Sequence, residues 1–248
     1  MFYKKCIKLY YIYTMNLLYY TLAAIVFFLI TIILFEKRNI WSTIVSSLGI
    51  AGVVNANFFH SGNYPIDVFG LNFGVDAIIY TLFIYTIILN FFYFGKKSAI
   101  IYTFSGAAAV FLAGVIELIA VAFSSGHSIE AWAEFGGFAI SALATIAAGV
   151  CAVLLIDFLK KKFKIHNMFL IIIGIVLATI VNTLIYYSLT PLILKHEFDI
   201  ILILTSFIGK FISLACACGS YGLIILIERC IKKKEQKNDK NNNTETTK

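Results

Sequence analysis

The chain has 248 residues, 60% of them hydrophobic, with a mean hydropathy of +0.90 and a formal charge of +7. No soluble globule of this size is so apolar, so the composition excludes that class and predicts a polytopic helical membrane protein. The positive balance does not point to nucleic acid, because most lysines sit in short runs at the ends of apolar segments, where basic loops fix membrane orientation.

Residues 1–14 form an aromatic extension bearing Lys4, Lys5 and Lys8, which is absent if translation starts at Met15. The first apolar run, 15–35, is too long for a signal-peptide core and lacks a small-residue cleavage site, so it reads as a retained span. After Glu36-Lys37-Arg38 comes a weaker span, 39–59, carrying Ser42, Thr43, Ser46, Ser47, Asn55 and Asn57. A polar loop over 60–72, with Pro65 and Asp67, leads to the third span, 73–94, closed by Gly95-Lys96-Lys97. The fourth span is 99–123. A loop over 124–134 precedes the fifth, 135–158, which ends in Lys160, Lys161, Lys162 and Lys164. The sixth, 168–190, is stopped by Pro191, and the seventh, 198–229, ends in Arg229 and Lys232-Lys233-Lys234. The expected fold is an all-α polytopic transmembrane bundle of about seven spans. Its transmembrane domain covers 15–231, and the polar, Asn-rich segment 232–248 reads as a disordered cytoplasmic tail.

Seven crossings with a cytoplasmic C-terminus place the Lys/Arg clusters at 37–38, 96–97, 160–164 and 229–234 on one side. The opposite loops then hold Asp67, Glu130, Glu134, Glu197 and Asp199 against Lys195 alone, the asymmetry that the positive-inside rule requires. This arrangement puts the N-terminus outside a cell membrane, with Lys4, Lys5 and Lys8 as its exception. In the competing arrangement six segments cross and 39–59 only dips into the bilayer, which keeps those lysines inside but moves Lys37 and Arg38 outside.

Lys210 lies near the middle of the seventh span, where a cation costs about 2.5–3.5 kcal/mol on insertion scales, so a partner is expected. Glu117 is the one carboxylate well inside another span, and helical side chains tilting toward their own N-termini bring the two together axially. Asn182 in the sixth span shares a face with Thr179, Thr183 and Tyr186 at i, i+3 and i+4 spacing, while Asp76 and Tyr80 share a face at the start of the third. With Asn55 of the second span, these residues are the candidate ligand contacts of a pocket open to the outer side. A purely structural Lys210–Glu117 pair and interhelical hydrogen bonding by Asn182 are the simpler alternatives. Trp132 is read as an interfacial anchor or as a cap over a ligand. Ser141, Ala144, Thr145, Ala148, Gly149 and Ala152 form a small-residue packing stripe.

Cys6, Cys151, Cys216, Cys218 and Cys230 are odd in number and contain no CxxC, so neither a disulfide framework nor a zinc site is supported. The four histidines lie in loops, and no HExxH, GxSxG or phosphate-binding glycine loop is present. Neither an enzyme nor a resident metal or cofactor is expected.

The segment Ala178-Thr179-Ile180-Val181-Asn182-Thr183-Leu184-Ile185-Tyr186, after the lysine-rich turn that follows Ile156-Asp157-Phe158-Leu159, resembles the late spans of queuosine-precursor transporters. Gly209-Lys210-Phe211-Ile212 with Tyr221 is similar to their last, lysine-bearing span. Together with Gly74-Val75-Asp76, Gly95-Lys96-Lys97 and Tyr186-Tyr187-Ser188-Leu189-Thr190, the pattern looks closer to the related vitamin-uptake-like sensor domains. The resemblance covers spans two to seven and implies a six-helix core comparable to the substrate-binding subunits of vitamin importers. The chain departs from the transporters at Asn182, where they carry aspartate, at Ile88 and Phe92, where they carry an acidic pair, and at Cys218-Gly219 in place of Thr-Pro. These departures separate it from the transporters' own substrate and proton coupling. The implied function is binding of a small vitamin-like or heterocyclic solute from the outer side, as a sensor. The alternatives are an uptake transporter for such a solute and a membrane scaffold without ligand. The implied partners are the small-molecule ligand, the lipid bilayer and a signalling or energising membrane protein.

Overall fold

The structure, a computed structural model, describes residues 18, 19, 21, 22, 24–26, 28–33, 40–61, 65–68, 71–125, 128–194 and 200–245. The 1–14 extension lies outside these residues. The helices are α1 (Ala24–Ile33), α2 (Ile40–Ser61), α3 (Val75–Phe94), α4 (Lys96–Ser125), α5 (Ser128–Lys162), α6 (Asn167–Leu194) and α7 (Ile200–Glu245). A two-stranded antiparallel hairpin, β1 (Pro65–Val68) and β2 (Leu71–Gly74), joins α2 to α3.

Five helices contain segments long and apolar enough to cross a bilayer: Ala77–Phe94, Lys96–Val121, Glu134–Lys162, Asn167–Leu192 and Ile203–Ile227. The protein is therefore a membrane-embedded, multi-pass helical bundle. With 22 residues, α2 reaches about 33 Å at 1.5 Å per residue, which matches the hydrocarbon layer. In α1, Ala24, Phe28 and Ile32 are buried one turn apart while Val26, Ile30 and Ile33 are exposed, so one stripe faces the bundle. Phe28 meets the Tyr85 ring edge-on at 5.3 Å, and Ser220 Oγ donates to the Ile25 carbonyl at 3.3 Å, which seats α1 against α3 and α7.

The bundle is built around α3, which packs on α2, α4, α5, α6 and α7. Its apolar character continues around the whole helix, the pattern of an element surrounded by others, and Phe83, Ile84, Tyr85, Ile87, Ile88 and Leu89 are all sealed from the surface. The most extensive helix interfaces are α4 with α5 and α5 with α6. They rest on the small-residue stripe of α5, whose Ser141, Ala144, Thr145, Ala148, Gly149 and Ala152 are all buried inside the bundle. A Cβ on Gly149 would sit 2.5 Å from Thr103 Cγ2 of α4, so glycine sets how closely these backbones approach. Gly95 alone separates α3 from α4, at φ 88° in the left-handed region, and its N–H donates to the Phe91 carbonyl at 3.0 Å. That conformation strains any residue with a Cβ.

Four sequence expectations change. The 60–72 loop is not all irregular, because the backbones of β1 and β2 pair Ile66 with Phe73 and Val68 with Leu71, so the all-α bundle carries a small hairpin. The hairpin packs on the ends of α3 and α7. The 124–134 loop contracts, because α4 continues to Ser125 and α5 starts at Ser128. Pro191 does not stop α6, which runs to Leu194. The proline removes one backbone donor in the last turn only, and the neighbouring Tyr186 carbonyl accepts from Thr190 Oγ1 at 2.6 Å. Finally, α7 continues as a helix to Glu245, through most of the segment read as a disordered tail. Lys, Glu and Gln are good helix formers, so local propensity allows the extension beyond the apolar part.

The turns confirm the one-sided placement of two basic clusters. Lys96 Nζ of α4 and Lys161 Nζ of α5 both donate to Asp157 Oδ2 at 3.0 Å, and Lys160 Nζ lies 5.5 Å and 5.1 Å from the ring centroids of Phe91 and Phe92 on α3. The end of α3, the start of α4 and the end of α5 therefore share one basic end of the bundle.

Candidate functional site

At the opposite half of the bundle, α7 carries Lys210 seven residues into its apolar segment, about 10 Å from that segment's start. Lys210 is only 6% exposed. Its Nζ donates to Asn182 Oδ1 and Thr183 Oγ1 of α6, each at 3.0 Å, and lies 5.1 Å from the centroid of the Tyr80 ring on α3. Two uncharged acceptors and an aromatic face are among the ammonium's neighbours. Adjacent residues on α6 can both reach it because Asn182 and Thr183 lie 100° apart on the helix, astride the direction of α7.

Around this group is a cavity of about 50 Å³. Asn57 of α2, Tyr80 of α3, Ser141 of α5, Asn182, Tyr186 and Tyr187 of α6, and Ser206 and Lys210 of α7 line it, with Ala56 as an apolar wall. A water needs about 10–15 Å³ by the same measure, so the space holds a few waters, well below the roughly 300–1,000 Å³ of drug-sized ligand sites. The Tyr80 hydroxyl and Thr145 Oγ1 are buried close to one another and to Asn182, but neither makes a hydrogen bond of good geometry among the described residues. Buried polar atoms left in this way are rare, and each is an available donor or acceptor for a bound molecule.

Neither a protein-family model, nor a curated protein, nor a solved structure matches this chain. The site is therefore read from its own geometry.

The candidate residues divide. Lys210, Asn182, Tyr80 and Tyr186 come together at the cavity. Thr179, 2% exposed, lies one turn from Thr183 on the same α6 face but does not line the space. Glu117 does not meet Lys210. It is half-buried on α4, which packs on α5, α3 and α2, whereas the ammonium is directed at α6 and α3. Axial depth alone could not reveal that α4 and α7 occupy different sectors of the bundle. Asn55 is exposed, and Asn57 faces the cavity instead, because two residues along a helix turn the side chain through 200°. Trp132 is 61% exposed near the start of α5, edge-on to Phe135 at 5.9 Å, as an interfacial aromatic would be. Asp76 is the second residue of α3, and its side chain lies outside the described residues. Ser206 and Tyr187 were not singled out. Ser206 is one turn before Lys210, a spacing that points to it once the lysine is chosen.

A second polar group joins α2, α3 and α4. The Tyr102 hydroxyl lies 2.9 Å from Thr86 Oγ1 and from the Ser46 carbonyl, and Asn90 Nδ2 donates to Ser46 Oγ at 3.2 Å. All of these groups are partnered within the protein, so the cluster acts as interhelical glue. No group of three or more metal-ligating side chains occurs among the described residues.

Proposed function

We propose that the protein is a seven-span integral membrane protein, N-terminus outside and C-terminus cytoplasmic, that binds a small vitamin-like or heterocyclic solute at Lys210. The observation that carries this reading is the conjunction of a buried ammonium with the unpartnered hydroxyls of Tyr80 and Thr145 beside a polar cavity. A helix-pinning cluster would have closed those hydrogen bonds, as the Tyr102 cluster does. The cavity lies in the half of the bundle remote from the basic turns, which the positive-inside rule makes the outer half. A heterocycle carrying a carbonyl or ring nitrogen matches the donors offered there, and its aromatic plane suits Tyr80, Tyr186 and Tyr187. Admission requires the cavity to widen, and among its walls Tyr186 and Tyr187 are half-buried rather than sealed. The resemblance to vitamin-uptake-like sensor domains places sensing ahead of uptake.

The test is thermal unfolding of the purified protein in detergent against a panel of vitamins and nucleobase-like heterocycles. A binder should raise the Tm of the wild type, and Lys210→Met should weaken its affinity roughly tenfold or more, the loss of one charge-assisted hydrogen bond. Tyr80→Phe should leave the solute-free Tm unchanged, since its hydroxyl has no bond to lose, while weakening the binder. An undiminished response in Lys210→Met would remove Lys210 from the site.

A further inference from the structure

At the basic end, α6 and α7 leave a groove of about 550 Å³ between them, lined by Met168 of α6, by Cys218, Gly219, Gly222 and Leu226 of α7, and by His166 at its mouth. Its floor exists because of two glycines. A Cβ at Gly219 would meet nothing within 4 Å, and one at Gly222 only Met168 Cε at 3.9 Å, so these positions hold space open rather than bring helices together. The groove starts at the level of the 163–166 turn and extends along α7 from Leu226 to Cys218, within the apolar segment Ile203–Ile227, so its walls lie in the hydrocarbon layer and its mouth at the membrane surface. An occupant must therefore be apolar along its length and polar at one end.

Charge specifies that polar end. His166 lines the mouth, and Lys164, exposed to solvent, lies two residues before it in the same turn. His166 Nδ1 accepts from the Met168 N–H at 3.2 Å, capping α6 and leaving Nε2 for another partner. Lys160, Lys161 and Lys162 are engaged with aromatic rings or with Asp157, but Lys164 makes no side-chain contact of that kind among the described residues. The first turn of α6 adds the positive end of its helix dipole at the same level. An apolar slot with the Lys164 ammonium and the His166 Nε2–H near its mouth suits an anionic phospholipid, with an acyl chain along Gly219 and Gly222 and a phosphate at Lys164 and His166.

We infer that the groove between α6 and α7 is a binding site for an anionic phospholipid of the leaflet at the basic end. It is independent of the Lys210 cavity, which lies nearer the other end of the same helix.

The inference is tested with the full-length protein in an uncharged detergent, measuring Tm against increasing mole fractions of dioleoyl phosphatidylglycerol, dioleoyl phosphatidylcholine or chain-free glycerol phosphate. The wild type should show a saturable rise with phosphatidylglycerol, a much smaller one with phosphatidylcholine and none with glycerol phosphate. Gly222→Phe and Gly219→Leu each fill the groove where space is open, so they should keep the lipid-free Tm and raise the half-saturating phosphatidylglycerol fraction roughly tenfold. Lys164→Gln should weaken phosphatidylglycerol and leave phosphatidylcholine unchanged. Equal responses to the two lipids, or full responses in both groove-filling variants, would overturn the assignment. So would a shift from dimer to monomer on filling the groove with no lipid response in the wild type, which would give the groove to a second copy of the chain.

Discussion

Two lysine-centred clusters stand at opposite ends of the bundle and are built differently. At the basic end, Asp157 accepts from Lys96 and Lys161, whose side chains are 41% and 74% exposed. In the other half, Lys210 is sealed at 6% exposure, and its described hydrogen bonds go to neutral oxygens of Asn182 and Thr183. Water and salt screen the first cluster, so its full charges are worth little. The second lies in a low-dielectric interior, where losing a single neutral acceptor is costly. Burial therefore decides which cluster matters more.

The largest effect is expected at Asn182. Asn182→Leu removes an acceptor from a buried ammonium and should destabilise the protein by about 2–3 kcal/mol, measured by thermal or denaturant unfolding in detergent. Asn182→Asp keeps the acceptor and adds the opposite charge, so it should retain wild-type stability. If both variants lost stability equally, crowding rather than the hydrogen bond to Lys210 would explain position 182.

A smaller effect is expected at Asp157. Asp157→Asn should cost about 0.2–1 kcal/mol, and the difference should shrink as salt is raised from 0.05 to 0.5 M, values chosen to bracket a Debye length of about 8–10 Å. A cost exceeding that of Asn182→Leu would reverse the comparison between the two ends.

The smallest quantity is a coupling. Glu117 and Lys210 belong to helices in different sectors of the bundle, so Glu117→Gln and Lys210→Met should be additive to within about 0.5 kcal/mol in a double-mutant cycle. Coupling beyond that limit would restore the ion pair between them and displace the Lys210, Asn182 and Thr183 arrangement described here.

Much of this protein was legible in the chain, for reasons that particular residues show. The long apolar runs ending in Gly95-Lys96-Lys97 and Lys160 to Lys164 placed α3, α4 and α6 within about a turn and α5 within two, because a bilayer forces every backbone group into an intrahelical bond over a fixed length. The hairpin at Pro65–Val68 and Leu71–Gly74 was missed because four-residue strands leave too few alternations to stand out from a polar loop. Helix continuation through Pro191 was missed because a proline in the last turn sacrifices only one bond. Lys210 and the polar face around Asn182 were each visible as candidates for one pocket, but not as partners of one another. Glu117 misled because opposite charge at a compatible depth says nothing about lateral neighbours.

The sequence by itself determined the membrane class, the extents of α2, α3, α4 and α6 to within about a turn, the gathering of Lys96 and Lys160–Lys161 at one end, and the need for Lys210 to find partners, since each follows from local hydropathy and the cost of burying charge. Only the tertiary structure decided which partners those were. Helix rotation turned Asn57 inward and Asn55 outward, and lateral packing set α7 against α6 and α3 while holding α4 apart. These choices depend on how small residues such as Gly149 let particular helices approach, a many-body packing outcome that no single stretch of the chain encodes.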